Sequence, residues 1–302
     1  MKRLSLIIVT YNSERDIYDC LASVWEHCDI PREELEVIIV DNSKDCEPMF
    51  AKLKQLYGED IVLIHNTHNG GYGQGNNVGI RAATSPLILI MNPDVRLYEP
   101  IFKTAVEAFS GDSRLSILGM KQMRSPQRPS TNSFNCTYMM NGYLFTFLTS
   151  ICNHFDWYIP HLMHFSGSCF FVSKDKFEGI GLFDESNFMY GEEDDIHYRM
   201  KKAYGCHMKY VPRLHYIHLF KEKVPSLDYW KRVVDVAATL NEKKGYSRKK
   251  TVLNRWRNNR LLLLRERIKV AFGRKPSDSY PVLQDYQQYL RSLLMELNRK
   301  QQ

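Results

Sequence analysis

Within its first hundred residues the chain alternates short apolar runs with segments of helical periodicity, and three of the runs stop at a polar cluster. Residues 4–9, 36–40, 61–65 and 86–91 are rich in Ile, Val and Leu, as strands buried on both faces are. Between them, residues 13–27 carry Ile17, Leu21 and Val24 at helical spacing, and residues 48–57 and 77–84 read as further helices. Strand–helix alternation with short connections predicts a parallel, doubly wound α/β sheet. In such sheets ligands bind beyond the carboxyl ends of the strands. Thr10-Tyr11-Asn12, Asp41-Asn42-Ser43 and Asn92-Pro93-Asp94 occupy three of those ends, so one sheet edge is expected to collect them.

Past residue 100 the pattern changes. Residues 101–109 and 195–204 read as helices, 165–172 as a strand and 207–218 as strand or extended chain. Residues 121–160, rich in Asn, Ser, Thr and aromatics, read as irregular. A loop that long is functional or mobile, and a lid ordering on ligand binding is one expectation. From residue 222 the sequence is helical and amphipathic. The expected division is therefore 1–222, in halves 1–98 and 99–222, followed by a helical region 223–302.

A chain of 302 residues with 44% hydrophobic and 25% charged residues has ordinary globular composition. That excludes a disordered chain, a collagen and a disulfide-stapled miniprotein. No apolar stretch approaches the ~20 residues that span a bilayer. Met1-Lys2-Arg3 before the first apolar run imitates a signal peptide, but the run is short and no small-residue cleavage site follows. Seven cysteines, an odd number with no C-x-x-C pair, argue against a disulfide framework or zinc site and point to the cytoplasm.

The net charge of +7 is unevenly spread: residues 243–275 hold thirteen Lys or Arg and one acid, Glu266, so the rest of the chain is net acidic. Such a segment seeks an anionic partner. No nucleic-acid recognition motif accompanies it. Trp256 and the run Leu261-Leu262-Leu263-Leu264 lie among the basic residues and suit the headgroup region of an anionic membrane surface, while a nucleic acid, an acidic protein face and a plain solvated helix face stay open.

Four features carry chemistry. Asp94 at a strand end is a carboxylate of the kind that holds a divalent cation when a diphosphate supplies further ligands, though Pro-Asp is also good turn chemistry. The stretch from His68 to Gly79 holds five glycines before a helix, a place where backbone approaches a phosphate. It is neither a dinucleotide fingerprint, since Asn76 stands where the third glycine belongs, nor a P-loop. Glu192-Glu193-Asp194-Asp195 is four consecutive carboxylates ahead of a helix, where one could act as general base or all could simply favour the helix N-terminus. His215 and His218 would face opposite sides of a regular strand and so would not chelate together.

Taken in order, these segments resemble the inverting glycosyltransferases of family 2, with the fold called GT-A. The resemblance spans about residues 3–220 and rests on Ile7–Asn12, Val40–Ser43, Asn69–Gly79, Met91–Val95, Phe165–Phe170, Gly181–Glu185 and Tyr190–Asp195. It implies a nucleotide pocket lined by Thr10, Tyr11 and Asn12. Asp41 would contact a pyrimidine base, and Asn69, Gly71, Gly75 and Asn77 would form the wall beside ribose and diphosphate. Asp94, the last aspartate of the D-x-D motif, would bind Mg2+ or Mn2+, joined by His218. Asn92 replaces the first aspartate of that motif. Glu193 would be the base, within an acidic cluster where Glu192, Asp194 and Asp195 are its neighbours and the choice among Glu192, Glu193 and Asp194 stays open. Gly167, Ser168 and Asp184 would lie on the acceptor side. The Asn-Pro-Asp and Gly-Tyr-Gly-Gln-Gly-Asn-Asn forms look like the rhamnosyltransferase-like branch, with dTDP-L-rhamnose the favoured donor and UDP-hexoses or UDP-N-acetylhexosamines next. The implied acceptor is a polyprenyl-diphosphate-linked glycan, met at the cytoplasmic face of a bacterial membrane. A non-catalytic sugar-nucleotide-binding subunit on the same fold is the alternative. A nucleotidyltransferase would need its glycine-rich loop after the first strand, where Thr10-Tyr11-Asn12-Ser13 stands.

Overall fold

A computed structural model describes residues 2–137, 143–219 and 224–299. It divides into two compact units, Met1–Asn135 with Cys152–Phe220, and Cys136–Ile151 with Lys221–Gln302. The boundary expected at 222/223 lies outside the described residues.

The first unit opens with β1 (Leu4–Thr10), α1 (Glu14–Glu26), β2 (Leu35–Asp41), α2 (Glu47–Tyr57), β3 (Ile61–His65), α3 (Tyr72–Ala82) and β4 (Leu87–Met91). These strands are parallel in the order β3-β2-β1-β4, and the register sets Thr10 opposite Asp41 and Asp41 opposite His65. β4 is buried throughout and β1 nearly so, which is why their sequences lack polar alternation.

The sheet then becomes mixed. After β5 (Val95–Arg96) and α4 (Phe102–Gly111) come β6 (Ile117–Ser125), β7 (Arg128–Pro129), β8 (Phe134–Cys136), α5 (Tyr143–His154), β9 (Met163–Phe165), β10 (Cys169–Ser173), α6 (Lys174–Gly179), α7 (Glu192–Tyr204) and β11 (Met208–His218). β10 inserts antiparallel between β4 and β6, β11 runs parallel to β6, and β5 closes the edge antiparallel to β11. The fold is thus α/β, parallel in its first half and mixed beyond, as the GT-A resemblance implies.

Three sequence expectations change. The glycine-rich stretch is not a loop before a helix at 77: α3 begins at Tyr72 and contains Gly73, Gly75 and Gly79. A Cβ at Gly75 would stand 2.8 Å from Val9 Cγ1 and one at Gly79 2.5 Å from Ile7 Cγ2. Those glycines let the helix lie against β1, a packing role. The strand expected at 165–172 is two, β9 and β10, with a turn at Ser166–Ser168 between them. Residues 121–160 are not a plain irregular loop. They hold the β6–β7 hairpin, β8 and α5, with 138–142 outside the described residues.

β11 is also irregular: its register against β6 shifts between Val211 and His215, leaving Pro212, Arg213 and Leu214 without partners on β6. Proline cannot donate to the ladder, so an interruption there is expected. It separates the two histidines onto different carboxylates, His215 Nδ1 lying 2.6 Å from Glu99 Oε1 and His218 Nε2 3.3 Å from Asp94 Oδ1.

The second unit contains α8 (Leu227–Lys243), α9 (Arg248–Ala271) and α10 (Tyr280–Arg299). Val234, Val252, Tyr286 and Leu290 form its small core, with Trp230 stacked on Tyr286. Ser226 caps α8 through the Tyr229 N–H, and Arg248 bridges Asp235 and Glu242. No helix among the described residues is long and apolar enough to cross a membrane.

Candidate active site

The carboxyl ends of β1 and β4 meet the start of α3 around a cleft of about 470 Å³. Thr10, Tyr11, Asn69, Gly71, Asn92 and Asp94 line it. Other expected residues stand behind this wall. Asp41 is 1% exposed and accepts from Thr10 Oγ1 at 2.6 Å and the Ser43 N–H at 2.9 Å. Asn12, at φ 50, donates its N–H to Ser43 Oγ. These bonds tie the ends of β1 and β2 into one rigid corner. Asn77 is buried and clamps α3 to the 183–185 segment: its Nδ2 donates to Phe183 O and Glu185 Oε1, and its Oδ1 accepts the Phe183 N–H. Asp184 accepts from the N–H and hydroxyl of Ser186.

Asp94 is held from both sides. Its carbonyl accepts the Leu219 N–H at 2.9 Å, and the preceding Asn92 donates its N–H to Ser168 O at 2.8 Å. Its Oδ1 is buried, meets no donor in hydrogen-bond geometry, and faces His218 Nε2 at 3.3 Å. Neighbouring ligands of a six-coordinate Mg2+ or Mn2+ stand roughly 3 Å apart, so this oxygen–nitrogen pair fits a shared cation. Among the described residues no cluster of three or more His, Cys, Asp or Glu has metal-ligand spacing. A two-ligand cation site of this kind would need its remaining ligands from a bound phosphate group and water.

The acidic turn sorts its four carboxylates by burial. Tyr190 and Gly191 both have positive φ, which turns the chain sharply into α7, whose first four residues are the acids. Asp195 is consumed by Arg199 at 2.6 Å, and Arg199 also donates to Ile180 O. Asp194 is wholly buried. Glu192 is 6% exposed and its Oε1 has no donor. Burial, and next the charge of Glu193, push its carboxyl up from 4.5 to about 8, which favours its protonated form. Glu193 alone of the four is partly exposed. Its Oε1 accepts the Gly167 N–H at 3.2 Å, and a Cβ at 167 would stand 2.6 Å from that oxygen. Glycine at 167 is therefore what makes room for this carboxylate.

The raised Glu192 has a thermodynamic consequence. Between pH 4.5 and about 8 the unfolded chain binds fewer protons than the folded one, so this group's contribution is full below that window and is lost as pH rises through it. Glu192→Gln keeps the shape and has no proton to lose. Its melting temperature is expected to match the parent at pH 4 and exceed it at pH 9, with a gain on the order of a few kcal/mol. Parallel pH profiles for the two proteins would contradict a buried neutral acid.

Several residues at the site escaped the sequence. Tyr72 lines the cleft, donates its hydroxyl to Gly167 O at 2.7 Å and so connects the cleft wall to the Glu193 support. Burial raises its phenol well above 10, which keeps it a donor. Asn42 donates to Gly71 O and accepts from Asn66. His197 accepts the Phe165 N–H on Nε2, so its proton sits on Nδ1 and is donated to Glu193 O at 2.7 Å. Ser168 shares a buried hydroxyl network with Tyr216 and Ser166 rather than facing solvent. Phe188 and Met189 stand half-exposed on the cleft. The signal for Tyr72 and His197 was present only as their neighbours, Gly71 and Glu193; nothing local marks a distant hydrogen-bond partner.

The sequence profile of Glycosyl transferase family 2 matches residues 5–181, more than half of the chain. Among curated proteins, the low-salt glycan biosynthesis hexosyltransferase Agl10 of Haloferax volcanii is 29% identical over 66% of this chain and 62% of its own length. The poly(ribitol-phosphate) beta-N-acetylglucosaminyltransferase TarS of Staphylococcus aureus is 28% identical over 40% of this chain and 21% of its own. The chain thus spans less than two thirds of either relative. Two solved structures share the fold. TarS residues 1–349 with UDP has a TM-score of 0.54 and 17% identity, over 95% of this chain and 91% of that one. The mannosyltransferase PcManGT of Pyrobaculum calidifontis with GDP-Man and Mn2+ has a TM-score of 0.51 and 18% identity, over 95% and 69%.

Proposed function

Because the chain belongs to glycosyl transferase family 2, we propose that it is a metal-dependent inverting glycosyltransferase. It takes a sugar from a pyrimidine-nucleotide donor and adds it to a hydroxyl of a glycan. The observation that carries this reading is the pairing of the buried, donorless Asp94 Oδ1 with His218 Nε2 at the edge of the strand-end cleft. Asp94 and His218 would hold Mg2+ or Mn2+, which when bound offsets charge on the departing nucleoside diphosphate. The protein's own residues do the rest. The corner made by Thr10, Asp41 and Ser43 orients the nucleotide end. Glu193, held by the Gly167 N–H, takes the proton of the attacking hydroxyl. One base on the face opposite the leaving group gives inversion without a covalent sugar–enzyme intermediate.

The donor is dTDP-L-rhamnose or a UDP-hexose or UDP-N-acetylhexosamine. The motif forms favour the first; the relatives, a hexosyltransferase and an N-acetylglucosaminyltransferase, favour the others. The acceptor is a lipid-linked glycan in cell-surface polysaccharide synthesis, reached from the cytoplasmic face of the membrane, with residues 243–275 against the anionic surface.

A thermal-shift panel with dTDP, UDP and GDP, each with Mn2+ and with EDTA, tests the donor site. A ligand at ~100 Kd stabilises by ~2.7 kcal/mol. A Mn2+-dependent rise with dTDP or UDP, lost in Asp94→Asn, is expected. No pyrimidine-dependent shift under any condition would favour abandoning the metal–diphosphate site, and a shift without turnover of any acceptor would favour the non-catalytic subunit.

A further inference from the structure

α9 and α10 enclose a groove of about 600 Å³ whose walls carry four guanidinium groups, Arg257, Arg260 and Arg267 from α9 and Arg291 from α10. Among the described residues no carboxylate lines it. The three on α9 are spaced three and seven positions apart, so they share one helix face. Arg260 stacks over Trp256 at 4.8 Å, which fixes its orientation along the wall. The one acid within the basic segment offers no neutralisation. Glu266 is 2% exposed and is occupied by Lys269 at 2.7 Å, Arg265 at 3.4 Å and the Ser277 N–H. The Lys269 contact first, then the Ser277 N–H, hold its carboxyl down at about 2, so it stays ionised and committed to those partners.

Four like charges gathered in one groove repel one another, and an anion relieves that repulsion. An aqueous phosphate would need only the arginines. The same groove also carries Leu261 and Leu264, which are 47% and 51% exposed. Guanidinium groups beside exposed leucines match a molecule that is anionic at one end and hydrocarbon at the other.

We propose that the α9–α10 groove binds the phosphate-bearing headgroup of a membrane lipid, with Arg257, Arg260, Arg267 and Arg291 on the phosphate and Leu261 and Leu264 at the acyl boundary. This deepens the membrane-surface part of the reading above and rests on it. It replaces a diffuse basic segment with one pocket, so charges inside and outside the groove are not equivalent.

The full chain is tested by co-sedimentation with phosphatidylcholine vesicles, with and without phosphatidylglycerol. Each basic side chain at an anionic surface contributes a factor of roughly five, so the triple variant Arg257→Gln, Arg260→Gln, Arg291→Gln should lose on the order of 100-fold in affinity for the anionic vesicles. A control removing the same charge outside the groove, Lys250→Gln, Arg274→Gln, Lys275→Gln, should lose under about tenfold. Leu261→Ser with Leu264→Ser should also weaken vesicle binding. Equal losses from the two triple variants, or none from the first, would overturn the proposal. So would titration with inorganic pyrophosphate showing arginine-dependent binding while the groove variant still sediments with vesicles, since the occupant would then be a soluble phosphate. The nucleotide-dependent thermal shift is read on every variant. It should be unchanged by the groove substitutions, and its absence in the parent would refute the donor site while leaving the vesicle result to stand.

Discussion

Glu193→Gln should lower kcat by about a thousandfold and leave nucleotide affinity within about twofold. General-base catalysis is worth ~10²–10⁴ in rate, and the amide cannot accept the proton. The amide oxygen can still accept the Gly167 N–H that the carboxylate accepts at 3.2 Å, so the turn should survive. Partial exposure of Glu193, against burial of its three acidic neighbours, is what selects it. Glu192→Gln is the matched comparison. Burial pushes that carboxyl up and favours its neutral form, so its amide should leave kcat within about threefold. The measurement is kcat and product-nucleotide Kd for both variants at pH 7. Loss of transfer and nucleotide binding together in Glu193→Gln would contradict its role as base, and a thousandfold loss in Glu192→Gln would move the role to that residue.

Gly71→Ala should destabilise the fold by about 3 kcal/mol or more and weaken nucleotide binding at least tenfold. Gly71 has φ 93 and ψ −168, a region open essentially to glycine alone. A Cβ there would lie 1.8 Å from the backbone oxygen of Phe188. That oxygen cannot retreat cheaply, because it accepts the Tyr72 N–H at 3.2 Å. The substitution therefore forces apart the two sides of the cleft, α3 and the Phe188–Met189 segment. Gly181→Ala separates strain from overlap: its φ is 85, but nothing lies within 4 Å of a Cβ built on it. It should cost only about 1 kcal/mol and leave nucleotide binding intact. Denaturant titration and nucleotide Kd for both variants decide the matter. Equal effects would mean that the contact with Phe188 carries no weight.

The strands of the first half were readable because burial on both faces writes itself into local sequence as continuous apolar runs. The position of the cleft followed, since polar residues at the carboxyl ends of parallel strands must share an edge. The mixed half was less readable. That β10 pairs antiparallel with β4 and β6 depends on contacts between residues 51 to 86 positions apart, and nothing within Cys169–Ser173 encodes a direction. The glycines of α3 misled for a related reason. Glycine weakens a helix locally, yet Gly75 and Gly79 are needed because Val9 and Ile7 leave no room for a Cβ.

The sequence by itself determined the alternation of elements, the edge that gathers Thr10, Asn92 and Asp94, and the concentration of positive charge in 243–275. Only the tertiary structure separated Glu193 from Glu192, Asp194 and Asp195 and gathered Arg257, Arg260, Arg267 and Arg291 into one groove, and it gave the pairing of His218 with Asp94, which the resemblance implied, its geometry through the break in β11. Periodicity and turn chemistry are local and survive in a linear string. Burial, proton affinity and the distance between charges depend on which segments the fold packs together, and those neighbours are remote in the chain.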